Sequence, residues 1–202
     1  MGEQNARERI LQAAIKVFAE KSFEGARVDE ISREAKVPKS LIYYHFKSKD
    51  EILDVLIREF IEEYTLLLGK VPKETHQQKA ESMPDRMGGY YQFGQRYADL
   101  VRIVLMDSLK KTTEPPVIYR MLDAFIAQDS QLIVDENYDV QERRVTEFFT
   151  GFLPNCAYLC FADTWPDYYK LDKQQFGALF ANAIKETHGT YHKNHSQKER
   201  TE

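Results

Sequence analysis

Residues Arg27 to Lys49, RVDEISREAKVPKSLIYYHFKSK, hold two short helical patterns on either side of a three-residue interruption. In VDEISREA, Val28, Ile31 and Ala35 share one helical face, and Asp29, Glu30, Arg33 and Glu34 occupy the other. Asp29 and Glu30 fall in the first turn, where the positive end of a helix favours carboxylates. The pattern breaks at Lys36-Val37-Pro38, because a residue before proline avoids the helical region and proline is suited to open a helix. A second helix therefore starts near Pro38, with Ile42 and Phe46 as its anchors to a core. Its other side chains, Lys39, Ser40, Leu41, Tyr43, Tyr44 and His45, are of the kinds that meet base edges and phosphates. Two short helices joined by a tight turn, one of them carrying such a face, are the layout of a helix-turn-helix that reads DNA.

The flanks agree with this layout. Ser48-Lys49-Asp50-Glu51 is a capping box, with Ser48 as N-cap, and it opens a long helix whose apolar face is Ile52, Leu53, Leu56, Phe60 and Tyr64. Upstream, Asn5 and Glu8 form a similar start signal, and Ile10, Leu11, Ala14, Ile15 and Phe18 give a first helix running to about Lys21. Three short helices around a small core, followed by a long connecting helix, are expected.

With these pieces in order, ILQAAIKVFAEKSFEG, then VDEISREAKV, then KSLIYYHFKSKDEIL, the chain resembles the N-terminal domain of the TetR (tetracycline-repressor-like) family of bacterial regulators over roughly Ala6 to Leu56. The resemblance implies that the helix after Pro38 enters the major groove. It places Lys39, Ser40, Leu41, Tyr43, Tyr44 and His45 on the DNA face and makes Lys49 a phosphate clamp. Arg27 falls where the family usually has a small hydroxyl residue that meets the DNA backbone. Other departures are Lys36 for a glycine in the turn, Leu41 for a threonine, and Ser22 for a glycine before Phe23. If the turn needs a left-handed backbone, Lys36 adopts it at a cost of roughly 1 kcal/mol.

The chain has 202 residues, 43% of them hydrophobic and 30% charged, and no apolar run long enough to cross a membrane. No signal peptide precedes the first helix, so a cytoplasmic protein is expected. The net charge of −4 divides into +3 over residues 1–49 and −7 over the rest, a basic head on an acidic body. Cys156 and Cys160, four apart in an apolar stretch, read as reduced core residues.

Beyond the connecting helix, Gly69, Pro72 and KETHQQKAESMPD read as an exposed link. Helices are expected over about Met87–Tyr97, Ala98–Lys110, Val117–Val134, Val140–Thr164 and Asp172–His188, with Trp165 to Leu171 as a connection. Pro154 should kink or loosen its helix. The fold class is all-α: a DNA-binding domain over residues 1–49, a helical ligand-binding and dimerisation domain over 50–188, and a flexible polar tail over 189–202.

The second part is rich in aromatic residues, which are usually core. The resemblance implies further that its helices enclose a pocket for a small inducing ligand, and that the last two long helices pair with a partner's to make a homodimer. On that basis a mostly apolar or aromatic effector is expected near Phe93, Tyr97, Phe125, Phe148, Phe152 and Cys156. Phe149, Tyr158, Phe176, Leu179, Phe180 and Ala183 are expected at the dimer interface. Arg102, Asp107 and Glu147 are candidate polar anchors, with solvated surface the stronger expectation for each. His188, His192 and His195 are spaced to gather on a continued helix, yet a solvated tail is expected, with no metal site and no cofactor. The functional reading is a DNA-binding repressor that a small ligand releases from a near-palindromic operator. A regulator controlled by a protein partner is the alternative. An all-α enzyme is disfavoured because no catalytic constellation is evident.

Overall fold

The computed structural model describes residues 2–68, 92–110, 115–132 and 139–198, and among them all regular structure is helical. The expected link from Gly69 and the first part of the helix expected from Met87 lie outside the described residues. No helix is long and apolar enough to cross a membrane among the described residues. Two compact units form, one from Met1–Glu63 with Asp99–Ile118, the other from Tyr64–Ala98 with Tyr119–Glu202.

The first unit contains α1 (Gly2–Gly25), α2 (Val28–Ala35), α3 (Lys39–His45), the start of α4 (Lys49–Leu68) and α5 (Ala98–Ser108). Its core is built from Ile10, Ala14, Phe18, Ile31, Ile42, Phe46, Ile52 and Leu56, each at most 4% exposed, with Leu100, Val101, Ile103 and Val104 of α5 also buried. The expected anchors Ile42 and Phe46 are thus both in the core. Helix α1 begins at Gly2, not at Asn5, so Asn5 is an interior residue rather than a cap. Its regular geometry ends at Ser22, whose φ of 62° and ψ of 160° break the helix before Phe23. Ser48 does cap α4, its Oγ accepting from the Glu51 amide at 3.2 Å. The Glu51 carboxylate reaches back to the amide of Lys47 at 2.6 Å, one residue earlier than a capping box would have it.

The second unit holds helical residues 92–96, α6 (Val117–Leu132) from Tyr119 onward, and α7 (Val140–Thr146). There follow a π-helical turn (Glu147–Phe152), α8 (Leu153–Phe161), α9 (Thr164–Tyr169), α10 (Lys173–Ile184), a second π-helical turn (Lys185–Gly189) and α11 (Thr190–Lys198). Asp139 caps α7, its Oδ1 accepting from the amides of Gln141 and Glu142, both at 2.9 Å. Asp172 caps α10 in the same way through Gln175.

Four expectations differ from the structure. The helix expected over Val140–Thr164 is interrupted by the first π-turn, which lies immediately before Pro154; the widened turn is the loosening that a proline without an amide donor brings. Trp165 to Tyr169, expected as connection, are helical in α9, which Lys170 ends in a left-handed conformation (φ 53°). The chain also stays helical through Gly189, so His188 and His192 are not on a solvated tail: they are 4% and 1% exposed. Glu147, expected at the surface, is fully buried beside them.

Candidate nucleic-acid interface

The turn between α2 and α3 is made by Lys36 in the left-handed region (φ 54°, ψ 46°). The Lys36 amide donates to Arg33 O at 3.2 Å and the Val37 amide to Ser32 O at 3.1 Å, a paired closure that satisfies the last carbonyls of α2. The Ser32 hydroxyl donates to Val37 O at 2.7 Å and braces the same turn. Pro38 then stands as N-cap of α3 with φ −64°, the angle its ring dictates. Lys36 and Ser22, the two residues in place of a glycine, are thus two of the three non-glycine residues with positive φ among the described residues.

With Ile42 of α3 and the adjoining Phe46 turned inward, Lys39, Ser40, Tyr43 and Tyr44 face out. Tyr43 and Tyr44 are 50% and 69% exposed, Lys39 and Ser40 are exposed, and Leu41 is half-buried. Lys39 makes a 2.7 Å ion pair with Asp29, and its ammonium stands 5.9 Å from the Tyr43 ring centroid. The hydrogen bond with Lys39 holds the Asp29 carboxyl below its ordinary range and, reciprocally, raises the Lys39 ammonium. His45 is half-buried: its Nε2 has no hydrogen-bond partner among the described residues, and its ring meets Tyr44 edge-on at 5.0 Å. Arg27 is the exposed N-cap of α2; its amide donates to the Glu30 carboxylate at 3.0 Å. The Arg27 side chain cannot accept a hydrogen bond as a hydroxyl would, so its guanidinium is left to other partners.

Lys49 is placed differently from its neighbours. Its ammonium donates to the carbonyl oxygens of Phe23, Glu24 and Ala26, at 2.8, 3.0 and 3.3 Å, and lies 4.7 Å from the Phe23 ring centroid. Three donors meet three acceptors at the end of α1, so a phosphate contact by this side chain requires exchange of at least one of them. Nothing in the spacing of the sequence signalled this second role.

In the second unit the aromatic residues form a connected chain. Phe93 meets Tyr97 at 4.9 Å and Tyr64 at 5.8 Å; Tyr64 stacks on Phe125 at 5.4 Å; Phe125 meets Phe152 at 5.9 Å; and Phe152 lies 6.4 Å from Phe148. Five of the six expected ligand residues are thereby brought together, through Tyr64, which sequence reasoning gave only to the apolar face of α4. Cys156, the sixth, is buried one turn beyond Phe152, and burial pushes its thiol up to about 12. Arg102 and Asp107 belong to the other unit, where they border a concavity of about 320 Å³ with Phe18 and Phe23. Tyr158 stacks on Phe180 at 4.1 Å and meets Phe176 at 4.9 Å. Phe149 and Leu179 are 62% and 56% exposed, and Ala183 is also exposed.

A helix-turn-helix whose second helix is anchored by two buried residues and presents a polar and aromatic outer face defines a DNA-binding regulator. Residues 10–56 match the family model for bacterial regulatory proteins of the tetR family. Over that segment, which takes in the helix-turn-helix, the chain is similar to TetR-family transcriptional regulators. It is 24% identical over 142 residues to the probable HTH-type transcriptional regulator YttP of Bacillus subtilis, covering 68% of this chain and 67% of that one. It is 46% identical over 46 residues to the HTH-type transcriptional repressor NicS of Pseudomonas putida, an alignment spanning 23% of this chain and only 22% of that relative. In fold it is similar to the transcriptional regulator FadR of Bacillus subtilis in complex with stearoyl-CoA, with a TM-score of 0.63, 19% identity, and coverage of 88% of this chain and 96% of that one.

Proposed function

We propose that the protein is a homodimeric repressor that binds a near-palindromic operator through α3 and leaves it when a mostly apolar effector binds the helical body. The observation that carries this reading is the two-sidedness of α3: Ile42 and the adjoining Phe46 are buried, while Lys39, Ser40, Tyr43 and Tyr44 are exposed. In this reading Ser40, Leu41, Tyr43 and Tyr44 meet base edges, Lys39 and Arg27 meet phosphates, and His45 shapes the end of the face. Lys49 fixes the start of α4 and reaches a phosphate only by exchanging a carbonyl. The functional division stays as the sequence suggests, a reading head over residues 1–49 and a responding body over 50–188.

A dimer would place two such helices about 34–36 Å apart, one turn of DNA. Exposed Phe149, Leu179 and Ala183, together with the half-buried stack of Tyr158, Phe176 and Phe180, support a partner's helices as the cover. The effector would lie along the rings of Phe93, Tyr97, Phe125, Phe148 and Phe152 and the buried Cys156. The fold neighbour that holds stearoyl-CoA makes a long-chain acyl thioester the first probe to use. A ligand that favours a different spacing of the reading helices lowers operator affinity by linkage, about 5- to 150-fold for couplings of about 1–3 kcal/mol.

The test is selection of genomic fragments by the purified protein, followed by titration of a selected fragment with and without stearoyl-CoA. Recovery of fragments with paired half-sites, and weaker binding when the thioester is present, are expected. Fragments without half-sites, bound by a monomer, would overturn the dimeric reading; an affinity indifferent to every apolar effector would favour control by a protein partner.

A further inference from the structure

We propose that Glu147, His188 and His192 form a buried site for a divalent transition-metal ion, with Zn²⁺ the best fit. The site joins the first π-helical turn, which Glu147 opens, to the second π-helical turn and α11, which carry the two histidines. All three side chains are at most 5% exposed, and their donor atoms lie within 4.8 Å of one another. This inference stands apart from the reading of the DNA face and of the effector.

The geometry is that of a coordination shell. His188 Nε2 and His192 Nε2 are 3.1 Å apart, His188 Nε2 is 3.5 Å from Glu147 Oε2, and His192 Nε2 is 3.6 Å from Glu147 Oε1. Ligands held at Zn–N and Zn–O bonds of about 2.0–2.2 Å in a tetrahedron stand roughly 3.3–3.5 Å from one another. Each histidine faces a different carboxylate oxygen, so Glu147 with two imidazoles supplies three ligands and a water would complete the tetrahedron.

The surroundings fix the tautomer that such a site needs. The Thr150 hydroxyl has one hydrogen, and its 2.7 Å bond to Thr146 O takes it. At 2.9 Å from His188 Nδ1 the same oxygen can then only accept, which puts the His188 proton on Nδ1 and leaves the Nε2 lone pair directed at His192 and Glu147. An imidazole that donates its other N–H to a fixed acceptor is the usual support of a metal-bound histidine. Gly151 makes room for the ring: a Cβ there would stand 2.9 Å from His188 Cε1. The π-turns also fit, since the extra residue in each re-aims side chains and such turns gather at functional sites.

Charge narrows the choice of ion. Arg143 Nε is 3.9 Å from Glu147 Oε1 and offsets part of its charge, which disfavours Mg²⁺ and Ca²⁺, ions that need several oxygen ligands. Two neutral imidazoles and one carboxylate suit zinc and its first-row neighbours instead. Tyr191, half-buried on the same helix, faces Glu142 at 3.5 Å and stands outside the shell.

The test uses the full-length protein, stripped with a chelator and titrated with Zn²⁺ against a competing chromophoric chelator, and in parallel with Co²⁺ followed by visible absorption. One ion per chain, with the intense bands of low-coordinate Co²⁺, is expected for the native protein. Glu147→Gln and His192→Gln should lose stoichiometric binding, Glu34→Gln, an exposed carboxylate of the other unit, should keep it, and Thr150→Val should weaken it by roughly 10- to 100-fold. Binding of less than one ion per chain would overturn the site. So would undiminished binding by both Glu147→Gln and His192→Gln, or a metal shell containing sulfur by X-ray absorption, which would move the ion to Cys156 and Cys160. If the variants do not fold, two imidazoles in the native zinc shell support the site and their absence refutes it.

Discussion

The Lys49 ammonium lies 2.8 Å from the carbonyl oxygen of Phe23 and 4.7 Å from the centroid of the same residue's ring. It thereby clips the start of α4 onto the broken end of α1, the support behind α3. Lys49→Ala removes charge-assisted hydrogen bonds to three carbonyls and should lower unfolding free energy by about 1.5–3 kcal/mol. Urea denaturation measures this. A side chain whose sole work was on a phosphate would leave the midpoint in place and reduce only the salt slope of DNA binding, by about 0.9 per contact.

Lys36 and Ser22 hold positive φ where a glycine would do so without strain. Replacing Lys36 with glycine should stabilise the protein by roughly 0.5–1 kcal/mol, the left-handed cost of about 1–2 kcal/mol being partly cancelled by the freer unfolded chain. Ser22→Gly should gain at least as much, since φ 62° with ψ 160° is a glycine region costing about 1–3 kcal/mol to other residues. A lowered denaturation midpoint for both would contradict the strain assignment.

The pair of Asp29 and Lys39 ties α2 to the reading helix and sets a pH dependence with two limits. The Asp29 carboxyl titrates lower in the folded protein than in the unfolded chain, so its small contribution is present above the ordinary carboxylate range and is lost as pH falls through the folded value. The Lys39 ammonium titrates higher when folded, so its share is full below the ordinary lysine range and is lost as pH rises through the folded value. In Lys39→Ala the Asp29 carboxyl should return toward the ordinary range, as read by carboxyl-carbon NMR. An unmoved titration would mean that the pair does not persist in solution.

Cys156 and Cys160 should react at very different rates. Burial raises the Cys156 thiol to about 12, so almost none is thiolate at neutral pH, whereas Cys160 is partly exposed. Maleimide at pH 8 should label Cys160 first and Cys156 only after denaturation, with peptide mass spectrometry locating the label. Equal labelling of the native protein would show that α8 opens readily.

The helix-turn-helix was legible because its signals are local. Pro38 fixes where α3 begins, and the spacing of Ile31, Ile42 and Phe46 fixes what it buries. The glycine departure at Lys36 could be read as a site of strain for the same reason, whereas the positive φ of Ser22 is a finding of the structure. Pro154 announced a disturbance in its helix but not its form as a π-turn, because the compensating hydrogen bonds depend on tertiary packing. Tyr64 joins Phe93 to Phe125 only in three dimensions, and no spacing relates residues that far apart. The histidines were misjudged on composition: THGTYHKNHSQKERTE reads as a polar tail, and the buried Glu147 beside which His188 and His192 lie is some forty residues away in sequence. Lys49 was read as a phosphate clamp alone, because its partners in the fold are main-chain carbonyls, which any sequence can offer.

In the proposed function the exposed face of α3 reads the operator, and the most direct measurement is the affinity of a genomically selected fragment for the native protein and for Tyr43→Ala/Tyr44→Ala. Both side chains are largely exposed, so the variant should keep its helical circular dichroism and its denaturation midpoint. The variant is expected to lose the selected fragment's advantage over random DNA, about 1–3 kcal/mol for each base contact removed, while keeping its salt-dependent non-specific binding. A folded variant that binds the selected fragment as tightly as the native protein would contradict the assignment of α3 as the reading helix.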